Sequence, residues 1–272
     1  AAARRRKTPR EPEAAASPLA PASSTPAHPR GREDIRAEQA ADQGAKGLKD
    51  GDFAQVMRKA RRRAKLTPVE SAFIRRSHAR ALEKTEKAMD QAAAQGVVLP
   101  VREMASAVPT ATSGVDPRAQ RDKSAALLDP RTTWPCAGRV SYEFGPSDFH
   151  LSPPRTYKGW NYAHFHSGLD VAAPRGTALG AIAAGKVTHV QRHQSGLGMH
   201  VIIAHTDGRV STYGHLDVGQ RAPTVKPGQL VRPGQKIGYI GMTGTTTGPH
   251  VHLMIKKNGD LVDPRTILPR SR

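Results

Sequence analysis

From Trp134 onward, short runs of β-branched and other apolar residues alternate with glycine and proline turns. This spacing is typical of strands joined by tight turns, so we predict a mainly β, antiparallel domain over residues 134–272. Asn258-Gly259, between two such runs, is a strong two-residue hairpin signal. The predicted strands are residues 139–144, 186–192, 200–205, 210–216, 236–240 and 251–256.

Residues 48–96 have the pattern of a short helical region, which we predict to be a helical hairpin. Thr67, Pro68 and Glu70 match an N-cap, a first-turn proline and the acid of a capping box. Gly96 is placed to end that helix. The large apolar residues of this helix are few and do not form one narrow stripe, which argues against an independent core in this region.

The remaining N-terminal segments lack large apolar residues. Residues 1–47 are rich in Ala, Pro and Arg and contain almost nothing that can be buried. Such a segment cannot offset its ordering entropy, so we predict a disordered basic tail. Residues 97–133 return to Pro, Ser, Thr, Asp and Ala, a composition typical of a linker.

Composition and charge exclude several classes of protein. The 272 residues include 42 Lys and Arg against 23 Asp and Glu, a formal net charge of +19. No apolar run approaches the roughly 20 residues that a membrane-spanning helix needs, and the single Cys136 excludes a multi-cysteine zinc module. Aromatic residues are only 4% and no nucleic-acid recognition signature is present, so nucleic acid is not the expected partner of this basic chain.

Ten of the twelve histidines lie in the second half of the chain. His250 and His252 stand two residues apart on one predicted strand and therefore share a face. His166 and Asp170 form a second pair, whose nitrogen and oxygen donors suit Zn²⁺. His215, at the end of another predicted strand, adds an imidazole. Each motif alone is explained as well by histidines on a solvated or packed face.

Together, and in this order, the motifs resemble the lysostaphin or LytM-type zinc peptidases, which are peptidoglycan endopeptidases with the duplicated hybrid motif fold. The resemblance covers about half of the chain, residues 139–268. It implies a mainly β catalytic domain of the duplicated hybrid motif type. The matching segments are Phe144-Gly145, residues 166–176, 185–187, 213–216, 231–240 and 243–252, Asn258-Gly259 and residues 262–264.

The resemblance also implies a role for each residue of a site. His166, Asp170 and His252 correspond to ligands of one Zn²⁺ per chain, and His215 and His250 to catalytic histidines. Three protein ligands leave a coordination position for water, whose pKa then falls toward about 7. His250 is the preferred acceptor of the water proton, and His215 is left to bind the oxyanion or share the proton transfer.

Other positions are given no role in the chemistry. His164 shares a face with His166, but the spacing to Asp170 selects His166 and leaves His164 as a residue of the groove. Leu253-Met254 departs from the aromatic and acidic residues common in the family, which affects substrate fit more than chemistry. The histidines expected to take no part are His189, His193, His200 and His205.

We therefore expect a zinc-dependent endopeptidase that hydrolyses peptide stems or cross-bridges of bacterial peptidoglycan, with a metal-bound water as the nucleophile. Anionic cell-wall polymers are candidate partners of the basic N-terminal region. The expected location is the cell envelope, the extracellular space or a phage particle. No apolar signal core follows Ala1, which is also what a removed signal peptide would leave.

Two alternatives from other functional classes stay open. The first is a non-catalytic envelope protein that uses the same fold to bind or activate another wall hydrolase. The second is a phosphocarrier of the sugar phosphotransferase type, which resembles the fold and also uses paired histidines. A phosphocarrier, however, has no need of the His-x-x-x-Asp arrangement at His166 and Asp170.

Overall fold

In the computed structural model of the protein, the described residues are 32–97 and 129–270, without the side chains of residues 32–35. The predicted tail up to residue 31 and most of the predicted linker lie outside these ranges. Three α-helices precede a β domain within the described residues. None of these helices combines the length and the apolar character that a membrane crossing requires.

The helices are α1 (Arg32–Ala45), α2 (Phe53–Arg61) and α3 (Pro68–Gln95), with a 3₁₀ turn at Asp50–Asp52. Helix α1 lies inside the segment predicted to be disordered, so that prediction is wrong for these residues. Its burial comes from small side chains, since Ala41 and Ala45 pack into the core of the helical region. Composition alone underestimates this kind of close helix packing.

Helix α3 begins with the predicted capping box. The Thr67 hydroxyl accepts a hydrogen bond from Glu70 N at 3.1 Å, and Thr67 N donates to the Glu70 carboxylate at 2.7 Å. The helix ends at Gln95, and Gly96 follows with a positive φ of 54°. Residues 48–96 thus contain two helices, α2 and α3, and the ends of α3 are set by local sequence.

The β domain consists of antiparallel pairs, so the mainly β, antiparallel fold predicted from the sequence is confirmed. Its largest sheet has eight strands in the order β1-β6-β13-β10-β9-β8-β11, with β14 paired to β13. The strands are β1 (Arg139–Tyr142), β2 (Gly145–Pro146), β3 (Arg155–Tyr157), β4 (Trp160–Tyr162), β5 (Phe165–His166), β6 (Leu169–Ala172), β7 (Ala178–Gly180), β8 (Gly185–Arg192), β9 (Met199–His205), β10 (Arg209–Leu216), β11 (Leu230–Val231), β12 (Lys236–Tyr239), β13 (His250–Lys257) and β14 (Asp260–Val262), with 3₁₀ turns at Gly219–Arg221 and Pro264–Thr266.

The hairpin between β13 and β14 turns where the sequence predicts it. Asn258 and Gly259 have φ values of 53° and 87°. Two successive positive φ angles are characteristic of the tight turns that match the twist of paired strands. The register that follows pairs Ile255 with Val262 and Lys257 with Asp260.

The central strands are buried on both faces. One face of β13 carries Val251, Leu253 and Ile255 into the main core of the β domain. The opposite face carries Met254 into a second core, which includes Leu82 of α3. Since side chains alternate along a strand, His250 and His252 share the face of Met254, the face that α3 packs against.

Helix α3 is fastened to the β domain along its length. Ser77 O accepts a hydrogen bond from the Ser195 hydroxyl at 2.9 Å, and Asp90 forms an ion pair with Lys256 at 2.5 Å. The core of the helical region also includes Leu151 of the β domain. The helical region thus shares its cores with the β domain, as the sparse apolar residues of α3 suggest.

Candidate metal centre

Strand register brings the candidate ligands together. Asp170 on β6 is directly opposite His252 on β13, and His252 is opposite Gly214 on β10. Gly214 has no side chain, and a Cβ there would meet Leu197 Cδ2 at 2.9 Å. His166 ends β5, just before β6 begins. Two segments more than 80 residues apart in sequence, residues 166–170 and strand β13, therefore bring their side chains together.

Three donor atoms form a small triangle. His166 Nε2 lies 3.2 Å from Asp170 Oδ1 and 3.1 Å from His252 Nδ1, and His252 Nδ1 lies 2.8 Å from the same Asp170 oxygen. His166 and His252 are 8% and 4% exposed. Among the described residues, these are the side chains grouped closely enough to hold one metal ion. Two imidazoles and a carboxylate suit Zn²⁺.

The hydrogen bonds of His166 favour a bound cation. Its Nδ1 lies 2.8 Å from the Glu143 carbonyl oxygen, which can only accept, so Nδ1 carries the proton of the neutral ring. Nε2 then directs a lone pair at the Asp170 oxygen, and a cation between these atoms would remove their repulsion. The residues present therefore fit the metal that the resemblance implies.

Electrostatics keep the carboxylate charged. Burial alone would raise the pKa of Asp170, but the neighbouring charges of His166, His250 and His252 outweigh burial and hold this pKa well below its usual range. Burial alone would lower the pKa of His166, but the charge of Asp170 outweighs burial and raises this pKa above its usual value. For His252 burial prevails and the pKa is lowered. Asp170 is therefore an anionic donor at neutral pH.

Gly168, between the two ligands of the His166–Asp170 motif, makes room for the third. A Cβ at residue 168 would lie 2.7 Å from His252 Nε2 and 2.6 Å from the Leu253 carbonyl oxygen. Both distances are shorter than real Cβ contacts allow. The glycine is therefore a requirement of the His252 ring position and not of a turn.

His215 and His250 stand beside this triangle. Their ring centroids are 4.7 Å apart, and His250 Nε2 lies 3.3 Å from Asp170 Oδ2. Each Nδ1 faces a backbone carbonyl, that of Thr243 at 2.8 Å for His215 and that of Gly248 at 2.9 Å for His250. In the neutral rings Nδ1 is therefore the protonated nitrogen, and Nε2 is the acceptor.

The backbone at His215 departs from the strand around it. Its φ is 61°, a left-handed conformation that costs energy in a residue with a side chain. The pairing of β10 with β9 shifts register between Tyr213 and Leu216, at this point. Burial, followed by the charges of His250 and His252, lowers the pKa of His215 well below its ordinary value. His215 is thus held as a neutral imidazole.

The other histidines have their contacts elsewhere. His164 Nδ1 lies 2.8 Å from the Ser152 carbonyl oxygen, and the rings of His193 and His200 contact each other at 4.9 Å. His189 contacts the hydroxyl of the adjacent Thr188. His205 is fully hydrogen-bonded inside the β domain.

Sequence reasoning missed contributions from outside the matched motifs. The ring of Tyr142 packs edge-on against His166, with centroids 5.0 Å apart. His78 lies on α3 one helical turn from both Ile74 and Leu82, which are buried. Burial first, and then the charge of His252, lowers the pKa of His78 to about 3. The four-residue spacing of positions 74, 78 and 82 indicates that His78 lies on the buried face of α3. This spacing does not reveal which strands that face covers.

Comparison with known proteins identifies the β domain. Residues 164–264 match Peptidase family M23. DD-carboxypeptidase/endopeptidase Mpg of Neisseria meningitidis serogroup B is 38% identical over 139 residues, 48% of this chain and 31% of that protein. Murein hydrolase activator NlpD of Salmonella typhimurium is 32% identical over 158 residues, 58% of this chain and 36% of that protein.

A solved structure gives fuller coverage of its own chain. The catalytic domain of the prophage-encoded M23 protein EnpA from Enterococcus faecalis, in a mutant form, is 34% identical and covers 49% of this chain and 94% of that one, with a TM-score of 0.39. The chain spans only about a third of the length of the two curated relatives. The β domain of this chain belongs to peptidase family M23.

Proposed function

We propose that the protein is a zinc-dependent endopeptidase that hydrolyses peptide stems or cross-bridges of bacterial peptidoglycan. The observation that carries this proposal is the convergence of His166, Asp170 and His252, with donor atoms 2.8–3.2 Å apart, beside two imidazoles that present Nε2 as acceptors. Membership of peptidase family M23 supports it, as does the endopeptidase name of the Neisseria relative.

In this proposal, His166 Nε2, Asp170 Oδ1 and His252 Nδ1 would hold one Zn²⁺. When bound, the ion supplies Lewis-acid activation of water and of the peptide carbonyl. Glu143 fixes the tautomer of His166 through its carbonyl oxygen, so that a lone pair faces the ion. Asp170 contributes the negative charge that two neutral imidazoles do not provide.

His250 is the proposed general base. Its Nδ1–H donates to the Gly248 carbonyl, so Nε2, 3.3 Å from Asp170 Oδ2, is free to take a proton from the attacking water. The proton then leaves Nε2 for the departing amine. His215 is also a neutral acceptor, and it can donate to an oxyanion only after gaining a proton, so we assign it to the proton transfer.

The proposed setting follows from the substrate. Peptidoglycan peptides are the proposed partners of the site, and anionic cell-wall polymers those of the basic N-terminal region, which we propose as a tether. The protein would then act in the cell envelope, outside the cell or from a phage particle. A version of the protein lacking residues 1–31 that binds isolated walls as tightly as the full chain would contradict the tether.

A second function is favoured by one observation. The alignment with a protein named as a murein hydrolase activator spans 158 residues, 58% of this chain. In that case the protein would bind the wall or another hydrolase without cutting peptides. The presence of the complete donor triangle and of both neighbouring imidazoles favours the enzyme.

One experiment separates the two functions. The purified full chain is assayed for zinc content and for release of muropeptides from isolated walls, identified by mass spectrometry, before and after EDTA treatment. We expect about one zinc per chain, new muropeptide ends, and loss of both with EDTA. His189→Ala is a matched control, because it removes an imidazole outside the triangle, one that contacts the hydroxyl of Thr188. If the protein binds zinc but releases no muropeptide even at a high ratio of protein to cell wall, the endopeptidase proposal is contradicted. The activator function would then be the one that remains.

A further inference from the structure

The glycine-rich loop, residues 241–249, determines how the two proposed catalytic histidines are held. It contains no regular strand or helix. Nevertheless its carbonyl oxygens at Thr243 and Gly248 accept from Nδ1 of His215 and His250. The conformation of this loop therefore sets which ring nitrogen of each histidine carries the proton.

A single side chain from the helical region holds this loop from outside the β domain. Arg61, the last residue of α2, donates from Nε to the Thr246 carbonyl at 3.1 Å. Its Nη2 donates to the carbonyls of Met242 at 2.8 Å and Gly244 at 3.0 Å. One planar guanidinium thus binds three carbonyl oxygens. This arrangement suits the several N–H donors that a guanidinium holds in fixed directions.

Arg61 has no acidic partner among the described residues, whose ion pairs lie elsewhere. It is partly buried, and burial lowers its pKa. Removing a guanidinium from water costs free energy unless its hydrogen bonds are replaced. The three carbonyl oxygens provide that replacement, so their positions and that of Arg61 depend on each other.

The carbonyls bound by Arg61 alternate with those bound by the histidines. Thr243, which holds His215, lies between Met242 and Gly244, so both neighbouring peptide groups are fixed by the guanidinium. On the His250 side, the Thr246 hydroxyl donates to the Gly248 carbonyl at 2.6 Å and lies 3.3 Å from His250 Nδ1.

Within the β domain the loop is anchored at residues 241, 243 and 245. Gly241 N donates to the His215 carbonyl at 3.0 Å and Thr245 N to the Gly196 carbonyl at 2.8 Å. The Thr243 hydroxyl donates to the Leu216 carbonyl at 2.8 Å. The backbone of Gly244 is packed closely against the β domain, since a Cβ there would lie 2.4 Å from the Gly196 carbonyl oxygen. Gly244 has a φ of 72°, which few other residues would adopt. None of these anchors binds the carbonyls of Met242, Gly244 and Thr246, which accept from Arg61.

We propose that Arg61 is a positioning residue, which fixes the glycine-rich loop so that His215 and His250 keep Nδ1 protonated and present Nε2 to the metal centre. This rests on the proposed function for the roles of the two histidines. Arg61 lies outside residues 164–264, the part of the chain that matches the family. The helical region is therefore part of the working site, in addition to any tethering by the chain before it.

The test compares full-length Arg61→Ala and Arg61→Lys with the control Arg58→Ala, which removes the same charge from an exposed position of the same helix. The tautomers of His215 and His250 are read from ring ¹⁵N chemical shifts without substrate, and kcat and KM are measured on muropeptides. In Arg61→Ala we expect mixed tautomers at both rings, a kcat lower by roughly 10- to 100-fold, and little change in KM.

Arg61→Lys is expected to be intermediate, because an ammonium keeps the charge but cannot span three carbonyls. His205, whose partners lie in the β domain, should keep its tautomer in all variants. If Arg61→Ala does not fold, the comparison of Arg61→Lys with Arg58→Ala tests the role of Arg61. Zinc affinity should be unchanged, since Arg61 contacts none of the three donor residues.

Four results would overturn the proposal. Unchanged tautomers or an unchanged kcat would show that the loop does not need Arg61, and an equal effect in Arg58→Ala would show a general effect of charge. A rise in kcat/KM would mean that the helices obstruct the site, since α3 contacts both Ser195 and His150. The tautomers are read without turnover, so they decide the role of Arg61 even if the wild type hydrolyses no peptidoglycan.

Discussion

Two kinds of buried histidine lie in the β domain, and they differ in what the second ring nitrogen meets. His205 has Nδ1 2.9 Å from the Ala184 carbonyl oxygen and Nε2 2.7 Å from the Ser211 hydroxyl, so both nitrogens are satisfied. His166 also has Nδ1 on a carbonyl, but its Nε2 faces a carboxylate and another imidazole. Burial does not separate the two kinds, since His205 and His166 are 3% and 8% exposed. A second nitrogen that faces other potential metal ligands, and not a hydroxyl group, marks the residue that is available for chemistry.

The largest expected effect comes from removing the charge on which the metal centre depends. Asp170→Ala should lose zinc and reduce peptidoglycan hydrolysis by on the order of 10³-fold or more, because no other carboxylate joins the donor triangle in the described part of the chain. Zinc by elemental analysis and released muropeptides are the measurements. Asp260→Ala, at an exposed strand position, is the control. Wild-type zinc and activity in Asp170→Ala would erase the distinction between the two kinds of histidine.

The next effect tests a histidine that faces the site without belonging to the triangle. His250→Ala should keep its zinc and lose roughly 10²- to 10⁴-fold in kcat, because it removes the proposed proton acceptor. The same two measurements apply. If the variant also loses its zinc, His250 is a ligand and the assignment of roles within the site is wrong.

A smaller effect is expected from displacing one ring. In Gly168→Ala, the new methyl group would crowd His252 Nε2 at 2.7 Å, so zinc affinity should fall by roughly 10- to 100-fold in competition with a chelator. Gly51→Ala is the matched control, because a Cβ there meets no atom within 4 Å and residue 51 lies outside the metal centre. Equal affinities in the two variants would show that the position of the His252 ring is not restricted by residue 168.

The smallest effect on activity belongs to the hydrogen-bonded histidine. His205→Leu should leave zinc content and kcat near wild type and lower the free energy of unfolding by about 1–3 kcal/mol, because the Ala184 carbonyl and Ser211 lose their partner. Chemical denaturation gives this free energy. A loss of zinc equal to that of Asp170→Ala would contradict a purely structural role.

The same variant has a distinct pH dependence. Burial lowers the pKa of His205 to about 4, so between pH 6.5 and 4 the unfolded state takes up a proton that the folded state does not. Wild type should therefore lose stability as the pH falls through this window, and His205→Leu should lack that part of the loss. The difference in melting temperature between the two proteins should narrow from pH 7 to pH 4. A constant difference would show that His205 does not titrate in this way.

Local sequence signals predicted the elements that local interactions determine. The capping box at Thr67, the end of α3 before Gly96 and the hairpin at Asn258-Gly259 all depend on residues next to each other in the chain. Helix α1 escaped prediction because its burial depends on alanines packing against helices from later in the sequence.

For the site, the period of a strand places His250 and His252 on one face, but the pairing of β6 with β13 that brings Asp170 beside them is tertiary. The resemblance to the family predicted Asp170, His250 and His252 together as residues of one site. It could not provide Arg61, whose hydrogen bonds reach residues more than 180 positions away, and it gave no sign of the Glu143 carbonyl. Contacts of this kind are specified by the folded backbone and leave no local pattern.

The pairing register of β13 has a consequence for errors in folding. A slip of one residue against β6 would turn His250 and His252 into the main core of the β domain. It would bring Val251 and Leu253 to the face that α3 packs against. A molecule with that fault would bury two imidazoles without partners and could not capture a metal. The same alternation of side chains along β13 thus determines both the correct strand register and the ability to bind the ion. Metal uptake would therefore report on whether a molecule has folded correctly.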